Sequence, residues 1–278
     1  MLSHIAVADA YGVGFEFRPP AFVAARNDLS RYYPHARYRS LHARYSDDTQ
    51  MTLAIAELMV SGETWTKSRI ADHFVEAFHR DPRRGYSKRF YAILQASTTG
   101  EQLIGNLTGF SERNGAAMRA GVIGLYANTE EVLEKATLQA RVTHDTEPGI
   151  QAACAAALLT HYFAHDLGPR TEVGTYLAAA LDNDRWKREW QGKVTGFAYE
   201  AVQAAITALR TSRSQADLLR RCIAFTGDVD TVAAIAFAAA PHCVELAADL
   251  PDWLFTTLRE PVYGIDYLST LEKKLRAG

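Results

Sequence analysis

Cysteine is scarce in this sequence, and the few cysteines present are far apart. Cys154, Cys222 and Cys243 each lie in an apolar, alanine-rich stretch, with no Cys-x-x-Cys spacing. A disulfide framework or a cysteine-based metal site needs paired or closely spaced cysteines, so neither is expected here. The three thiols are predicted to be small core residues of a protein in a reducing compartment.

Surplus positive charge and long apolar runs are also missing. Lysine and arginine number 30 against 32 aspartates and glutamates, a net charge of −2. Because a nucleic-acid binder needs a cationic face, we expect no stable nucleic-acid partner. The longest apolar run, 232–241, is too short to span a membrane, and His4 and Asp9 interrupt the apolar stretch that a signal peptide would need. We therefore expect a soluble, cytoplasmic protein that does not associate with membranes.

Strand-like patterns are nearly absent, and helical patterns take their place. Apolar residues recur every three or four positions, and alanine, the best helix former, is abundant in the second half. This predicts an all-α fold of about a dozen helices. No linker divides the chain, so we expect one domain over 1–278, and a monomer. The helical pattern is clearest at 51–60, 70–78, 132–142, 150–163, 199–209 and 232–246.

Two neighbouring aspartates stand at the predicted start of a helix. Asp47 and Asp48, between Ser46 and Thr49, end a loop and open the apolar stretch that runs to Val60. Ser, Asp and Thr all cap helix N-termini well, which accounts for one or two of these residues. Adjacent carboxylates repel each other unless a cation neutralises them, so the surplus of oxygen ligands indicates a metal site.

A second acidic cluster opens the alanine-rich helix that begins near Val232. Asp228 and Asp230 alternate along the chain, and Thr231 follows them. Hard cations such as Mg²⁺ take carboxylate and hydroxyl oxygens, so the two clusters could jointly hold a pair of ions roughly 3.5–4 Å apart. Plain helix capping is the alternative for both clusters. The isoprenoid-synthase pattern, another all-helical aspartate–magnesium chemistry, is disfavoured because it needs a further carboxylate where Met51 stands.

A glycine-bearing segment, 105–115, lies between the acidic clusters and precedes a predicted helix at 116–126. Loops of this type expose backbone N–H groups, and a helix start attracts phosphate through its free amides and its dipole. The segment therefore indicates an anion site. Glycine, serine and asparagine are also ordinary turn formers, so a simple turn is the alternative.

Isolated polar residues outside these segments give weaker signals. His144 and Glu16, taken alone, are expected to face solvent. Asp81 precedes a proline and is typical of a turn, while Arg83 and Arg84 are predicted to form a solvated face. None of these residues indicates a function by itself.

Taken together, these segments resemble the ADP-ribosylglycohydrolase family. The sequence departs from the family pattern at Ala8, Ser46 and Val229, and none of these changes removes a carboxylate. The resemblance implies a compact orthogonal bundle of helices with a metal pair at the base of a cleft. The matching segments, in the family's order, are Asp9 to Gly12 with Glu16, Tyr45 to Met51, Asn114 to Arg119, Thr143-His144, and Gly227 to Thr231.

The resemblance also implies roles for individual residues. Two Mg²⁺ ions, or Mn²⁺ in their place, would be held by Ser46, Asp47, Asp48, Asp228, Asp230 and Thr231. The candidates for handling protons are Glu16, Asp47 and Asp81. ADP-ribose, or an ADP-ribosylated protein, would be the partner, and the residues expected to bind it are Gly85, Tyr86, Ser111, Asn114, Gly115, Met118 and His144.

Three functions remain open at this point. The first is hydrolysis of the N-glycosidic bond of ADP-ribosyl-arginine, through an oxocarbenium-like transition state assisted by metal and carboxylate. The second keeps the same site but acts on another linkage, such as ADP-ribosyl-serine or a phosphorylated ADP-ribose. The third is a non-catalytic member of the family that binds ADP-ribose or serves as structure. The intact aspartates favour an enzyme.

Overall fold

Fourteen α-helices, joined by turns and short 3₁₀ segments, form most of the chain that the computed structural model describes, residues 1–277. Within that range no β-strand forms, and only isolated bridges occur. The predicted all-α class is therefore confirmed. The helices are α1 (Leu2–Val13), α2 (Pro20–Arg26), α3 (Asp47–Ser61), α4 (Lys67–Arg80), α5 (Lys88–Ala96), α6 (Gly100–Asn106), α7 (Thr129–Thr143), α8 (Glu147–Ala164), α9 (Val173–Leu181), α10 (Ala198–Thr211), α11 (Gln215–Ala224), α12 (Val229–Ala239), α13 (Asp252–Thr256) and α14 (Ile265–Ala277).

Side-chain caps fix the starts of several helices. The Asn128 side chain accepts the N–H groups of Glu130 and Glu131 at the start of α7, at 2.7 and 3.2 Å. Pro148 occupies the first turn of α8, where its missing N–H removes no helical hydrogen bond. Both residues are of types that favour the start of a helix, and the structure places them there.

The centre of the protein is built from α1, α8 and α12, most of whose residues are buried. Helix α12 packs along α1 and also against α10 and α11. Gly12 allows this approach, because a Cβ atom there would lie 2.5 Å from the Asp230 Cα. The last turn of α1 and the first turn of α12 are therefore in direct backbone contact.

One predicted helix is wrong. No α-helix forms over 116–126: a 3₁₀ segment, Asn114–Ala116, ends where the helix was expected to begin, and turns lead to a second one, Gly121–Leu125. Glycine is a poor helix former, and here it serves close packing: a Cβ atom on Gly121 would lie 2.4 Å from the Ala238 Cβ. Backbone packing against neighbouring helices replaces the expected helix.

The helix expected at 232–246 is shorter than predicted. Helix α12 ends at Ala239, and a 3₁₀ segment, Ala240–His242, follows it. Pro241 explains the change, because proline has no N–H to continue an α-helical ladder.

Two expectations about hydrophobic residues can be compared with the structure. All three cysteines are buried free thiols, which confirms them as core residues. Among residues 1–277, no helix has the length and apolarity needed to cross a bilayer.

Candidate active site

The first acidic cluster is held by a carboxylate on another helix. Asp9 of α1 is fully buried and accepts the backbone N–H groups of Ser46 and Thr49, each at 3.0 Å. The Thr49 hydroxyl donates to the same carboxylate at 2.6 Å. The Ser46 Oγ accepts the Asp48 N–H at 3.2 Å, so this predicted metal ligand caps α3. Ser46 does not line the cleft described below.

The second acidic cluster, at the start of α12, is joined to the first by hydrogen bonds. The Thr231 hydroxyl donates to the Asp48 carboxylate at 3.2 Å. The Asn114 side-chain amide donates to Asp228 Oδ2 at 3.0 Å. Asp230 Oδ1 is buried and has no hydrogen-bond partner among the described residues. This acceptor is oriented by the fold but left unsatisfied, which is costly unless something else binds it.

The two clusters converge into two groups of carboxylates. Asp9, Asp48 and Asp230 form the first group, and Glu16, Asp228 and Asp230 form the second. Within each group, one oxygen per carboxylate lies within 4.8 Å of the others. Asp230 belongs to both groups. Carboxylate oxygens at this spacing are the ligand type that hard divalent cations prefer.

The electrostatics of these groups favour a cation. Burial raises the pKa of Asp9 to about 6, and burial with neighbouring carboxylates raises the pKa values of Asp47, Asp48 and Asp230 well above their usual range. Burial and nearby carboxylate charge also raise the pKa of Asp228. Among the described residues, none of the ion pairs involves these five side chains. Negative charge of this density is stabilised either by protons or by metal ions.

Glu16, a member of the second group of carboxylates, is held in place by a histidine. His35 Nε2 lies 2.7 Å from Glu16 Oε2, and His35 Nδ1 accepts the backbone N–H groups of Arg37 and Tyr38 at 3.0 and 2.8 Å. Because Nδ1 accepts, the ring proton is on Nε2 and is donated to Glu16. The solvent-facing position expected for Glu16 is wrong, since its side chain is only 19% exposed.

The carboxylates of both groups, except the deeper Asp9, line a cleft of about 510 Å³. This is the size of pocket that typically binds a small molecule. Most of the predicted site residues line it, which brings distant parts of the chain together. They are Glu16, Asp47, Asp48, Gly85, Tyr86, Ser111, Asn114, Gly115, Met118, His144, Asp228, Asp230 and Thr231.

The loop that contains Gly85 and Tyr86 packs directly on Asp47. Gly85 has a φ of +123°, and a Cβ atom there would lie 2.0 Å from Asp47 Oδ1. The Tyr86 hydroxyl donates to Gln50 Oε1 at 2.7 Å, and Gln50 in turn donates to the Asp81 carbonyl at 2.8 Å. The loop therefore needs glycine at this position and is anchored to α3.

Asp81, predicted to handle protons, is not brought to the cleft. Its carboxylate pairs with Arg44 at 3.4 Å and with Arg83. Arg83 was expected on a solvated face, and this is wrong: its side chain is 2% exposed and pairs with Glu260 at 2.9 Å. Arg84 is exposed, as predicted. The ion network explains Asp81 as a structural residue that supports the adjacent loop.

His144 also differs from its expected surface position. It is 7% exposed, and its ring lies against Gly115, where a Cβ atom would be 3.0 Å from His144 Cε1. His144 is therefore a largely buried residue that lines the wall of the cleft.

Some site residues were not identified from the sequence. Asp9 was noted only as part of a matching segment, although a carboxylate inside the apolar helix α1 was an available signal. No sequence signal identified His35, because its contact with Glu16 becomes visible only in the folded structure. The cleft wall adds apolar and cationic side chains that were not identified as site residues, namely Phe17, Arg89, Phe90, Ile93, and, within the segment 105–115, Leu107, Phe110 and Arg113.

Curated proteins with similar sequences are ADP-ribosylhydrolases. The mouse protein "ADP-ribosylhydrolase ARH3" is 30% identical over 142 residues, which cover 45% of this chain and 36% of that protein. The protein of the same name from Xenopus tropicalis is 30% identical over 139 residues, covering 46% and 39%. The human protein is 29% identical over 125 residues, covering 42% and 34%. The matched part therefore spans little more than a third of the length of these relatives.

A solved structure and a family profile extend the similarity to nearly the whole chain. The structure named "ADP-ribosylglycohydrolase-related protein complex" matches with a TM-score of 0.74 and 21% identity, covering 99% of this chain and 95% of that chain. At this identity the match shows the fold. The profile described as ADP-ribosylglycohydrolase matches residues 5–275. With this match over nearly its full length, the chain belongs to the ADP-ribosylglycohydrolase family.

Proposed function

We propose that this protein hydrolyses the glycosidic bond that links ADP-ribose to a modified protein, and that it does so with two Mg²⁺ ions, for which Mn²⁺ can substitute. One observation carries the proposal: the two acidic clusters, distant in sequence, meet in two carboxylate groups that share Asp230, and all members of these groups except Asp9 line one cleft. Family membership and the printed names of the relatives agree with this chemistry.

The residues present fit a divalent metal centre. Asp230 Oδ1 is a buried acceptor without a partner, and no Lys or Arg among the described residues pairs with the surrounding carboxylates. Asp48, Asp228, Asp230 and Thr231 would hold the ions, with Asp47 beside them and Ser46 at the start of the same helix. Bound there, the cations would supply positive charge and Lewis acidity to the hydroxyl oxygens of a ribose.

Glu16 is the proton-handling carboxylate in this proposal. His35 holds Oε2, while Oε1 makes no hydrogen bond within the described part of the chain. Oε1 would accept a proton from the attacking water, and the carboxylate charge would stabilise positive charge that develops on the ribose ring. Asp81 is replaced in this role by Glu16, because its carboxylate is engaged by Arg44 and Arg83.

The remainder of the cleft suits a nucleotide. Ser111, Asn114 and Gly115 with Met118 form one part of the lining, and Tyr86 and His144 lie in the same cleft. The apolar side chains of the wall can contact an adenine base, and two arginines, Arg89 and Arg113, can pair with a diphosphate.

ADP-ribosyl-arginine is the linkage that we propose. Phe17, next to Glu16, lines the cleft and has a side chain that is 53% exposed. The Lys193 ammonium already lies 5.7 Å from the centre of its ring, so the ring is placed where a cation can stack. A guanidinium between an aromatic ring and a carboxylate is a favourable arrangement.

The test compares three substrates, in Mg²⁺ and in excess chelator: peptides carrying ADP-ribose on arginine or on serine, and phosphorylated ADP-ribose. We expect Mg²⁺-dependent release of ADP-ribose, fastest from arginine. Asp230→Asn should reduce release at least about 100-fold with an unchanged helical circular dichroism spectrum. Asp184→Asn, at an exposed aspartate, is the matched control. Full turnover by Asp230→Asn would refute the metal centre, preference for serine or phosphate would refute the linkage, and binding of ADP-ribose without turnover would indicate a non-catalytic member.

A further inference from the structure

Arg119 is a buried cation without a carboxylate partner among the described residues. It is 1% exposed, and its guanidinium lies 4.4 Å from the centre of the Phe74 ring. Nε donates to Gln139 Oε1 at 2.6 Å, and Nη1 donates to the Gly115 carbonyl at 2.9 Å. Nη2 donates to the Thr143 hydroxyl at 2.8 Å and to the Gln139 carbonyl at 3.2 Å. Every one of these partners is an uncharged acceptor.

The hydrogen bond from Arg119 to Thr143 determines which ring nitrogen of His144 carries the proton. A guanidinium only donates, so the Thr143 oxygen must accept from Arg119. Thr143 Oγ1 is also 2.6 Å from His144 Nδ1. If the ring donated in this contact, the Thr143 proton would have no acceptor among the described residues, at a position that is buried. Thr143 therefore donates to Nδ1, and the His144 ring proton is on Nε2.

We propose that Arg119 and Thr143 are positioning residues that fix His144 as the neutral Nε2–H tautomer, and that this N–H donates a hydrogen bond to an acceptor atom of the nucleotide in the cleft. The second half of the inference rests on the proposed function. His144 Nε2 makes no hydrogen bond within residues 1–277, although the residue lines the cleft. A Cβ atom on Gly115 would lie 3.1 Å from Nε2, so glycine leaves this edge of the ring free for a ligand.

The charges around the ring support a neutral donor. Burial, and then the positive charge of Arg119, lower the pKa of His144 to about 3. Asp145, the next residue, pairs instead with Lys67 at 3.3 Å and Arg141 at 3.5 Å. His144 is therefore uncharged near neutral pH. The Nε2–H group of His144 thus favours a ligand atom that can accept a hydrogen bond. It disfavours a ligand N–H or O–H at that position, because two donors that face each other would both be left without an acceptor.

The tautomer can be measured without substrate by ¹⁵N NMR of the His144 imidazole in the full-length protein. We expect Nε2 to show the shift of a protonated nitrogen and Nδ1 that of an unprotonated one, unchanged between about pH 5 and about pH 8. Thr143→Val removes the hydroxyl at similar volume. It should mix the two tautomers and weaken binding of ADP-ribose about ten-fold, the effect of one lost hydrogen bond. Thr143→Ser keeps the hydroxyl and should show the ¹⁵N shifts and the ADP-ribose affinity of the parent protein.

The outcomes separate this inference from the proposed function. Protonation at Nδ1 in the parent protein overturns the hydrogen-bond relay, whatever ADP-ribose does. Parent-like ¹⁵N shifts and parent-like affinity in Thr143→Val overturn the positioning role. A parent protein with the Nε2–H signature that does not bind ADP-ribose overturns the proposed function, and with it the nucleotide as the acceptor. The NMR spectrum of the parent protein alone decides which ring nitrogen of His144 carries the proton. The proposed tautomer can therefore be refuted even if Thr143→Val does not fold.

Discussion

His35 Nε2 donates a hydrogen bond to Glu16 Oε2 across 2.7 Å, and the backbone N–H groups that bond Nδ1 fix the direction of this donation. The ring is also stacked on Tyr38, with 9° between the planes. Glu16 is thus held by a hydrogen-bond donor, and its carboxylate belongs to the second group with Asp228 and Asp230. This contact gives His35, which lies outside every motif of the sequence analysis, a positioning role in the proposed reaction.

The substitution His35→Asn tests this relationship. Its side-chain oxygen can replace Nδ1 as the acceptor for the turn, but the shorter side chain cannot reach Glu16. We expect turnover to fall about ten-fold or more, because general base catalysis depends on position, while the affinity for ADP-ribose changes little. The stability of the turn should be largely kept. His35→Ala, which also leaves the two turn N–H groups without their acceptor, should cost a further 1–3 kcal/mol of unfolding free energy, roughly. Parent-like turnover in His35→Asn would exclude the positioning role.

The sequence predicted the helices and the acidic clusters because both are local properties. Apolar spacing gives a helical face, and a run such as Ser46 to Thr49 carries its excess of oxygen ligands whatever surrounds it. The chemistry of the two clusters suggested that they could share a pair of ions, and the resemblance implied the same, but no local rule states that residues 48 and 231 meet. Their hydrogen bond at 3.2 Å joins positions 183 residues apart.

Features that depend on packing were missed for the same reason. Arg83 looked like a surface residue because its partner Glu260 is 177 residues away. The helix expected at 116–126 does not form, because Gly121 packs closely against Ala238 of α12 in a 3₁₀ segment. A local sequence pattern indicates the conformation and exposure that a segment adopts on its own. At Arg83 and Gly121, contacts with distant segments outweigh this local tendency.

Gly85→Ala should disturb the site through Asp47. The new Cβ atom would lie 2.0 Å from Asp47 Oδ1, and the φ of +123° disfavours any other residue. A shift of the carboxylate by about 1 Å can cost about 100-fold in rate, so we expect a loss of that order in turnover. Gly62→Ala is the control, because Gly62 also has a positive φ, +74°, but no atom lies within 4 Å of its added Cβ. Equal activity losses in both variants would mean that backbone strain, not Asp47, is responsible.

Asp230→Asn should also separate metal binding from stability. Removing one charge from the carboxylate groups relieves repulsion, so the variant in chelator should melt at a higher temperature than the parent in chelator. Mg²⁺ at about 100 times its Kd should add about 2.7 kcal/mol to the parent, and far less to the variant. Differential scanning calorimetry with and without Mg²⁺ measures both effects. A variant that gains as much from Mg²⁺ as the parent would place the ion elsewhere.

Acid should destabilise the fold through two histidines near the N-terminus. Burial, and then the charge of the N-terminal amine, lower the pKa values of His4 and His242 to about 4, against the opposing charge of Glu272. In the unfolded chain these histidines titrate near about 6.5. Between the two values the unfolded state binds more protons, so stability falls as pH drops from about 6.5 towards about 4, by roughly 1–3 kcal/mol per histidine, and is unaffected above that window. Urea unfolding of the parent and of His4→Gln with His242→Gln, at about pH 7 and about pH 4.5, isolates this contribution, because the other titrating groups are common to both proteins. The doubly substituted protein should lose less stability in acid than the parent; the same loss in both would show that these rings become protonated without cost in the folded state.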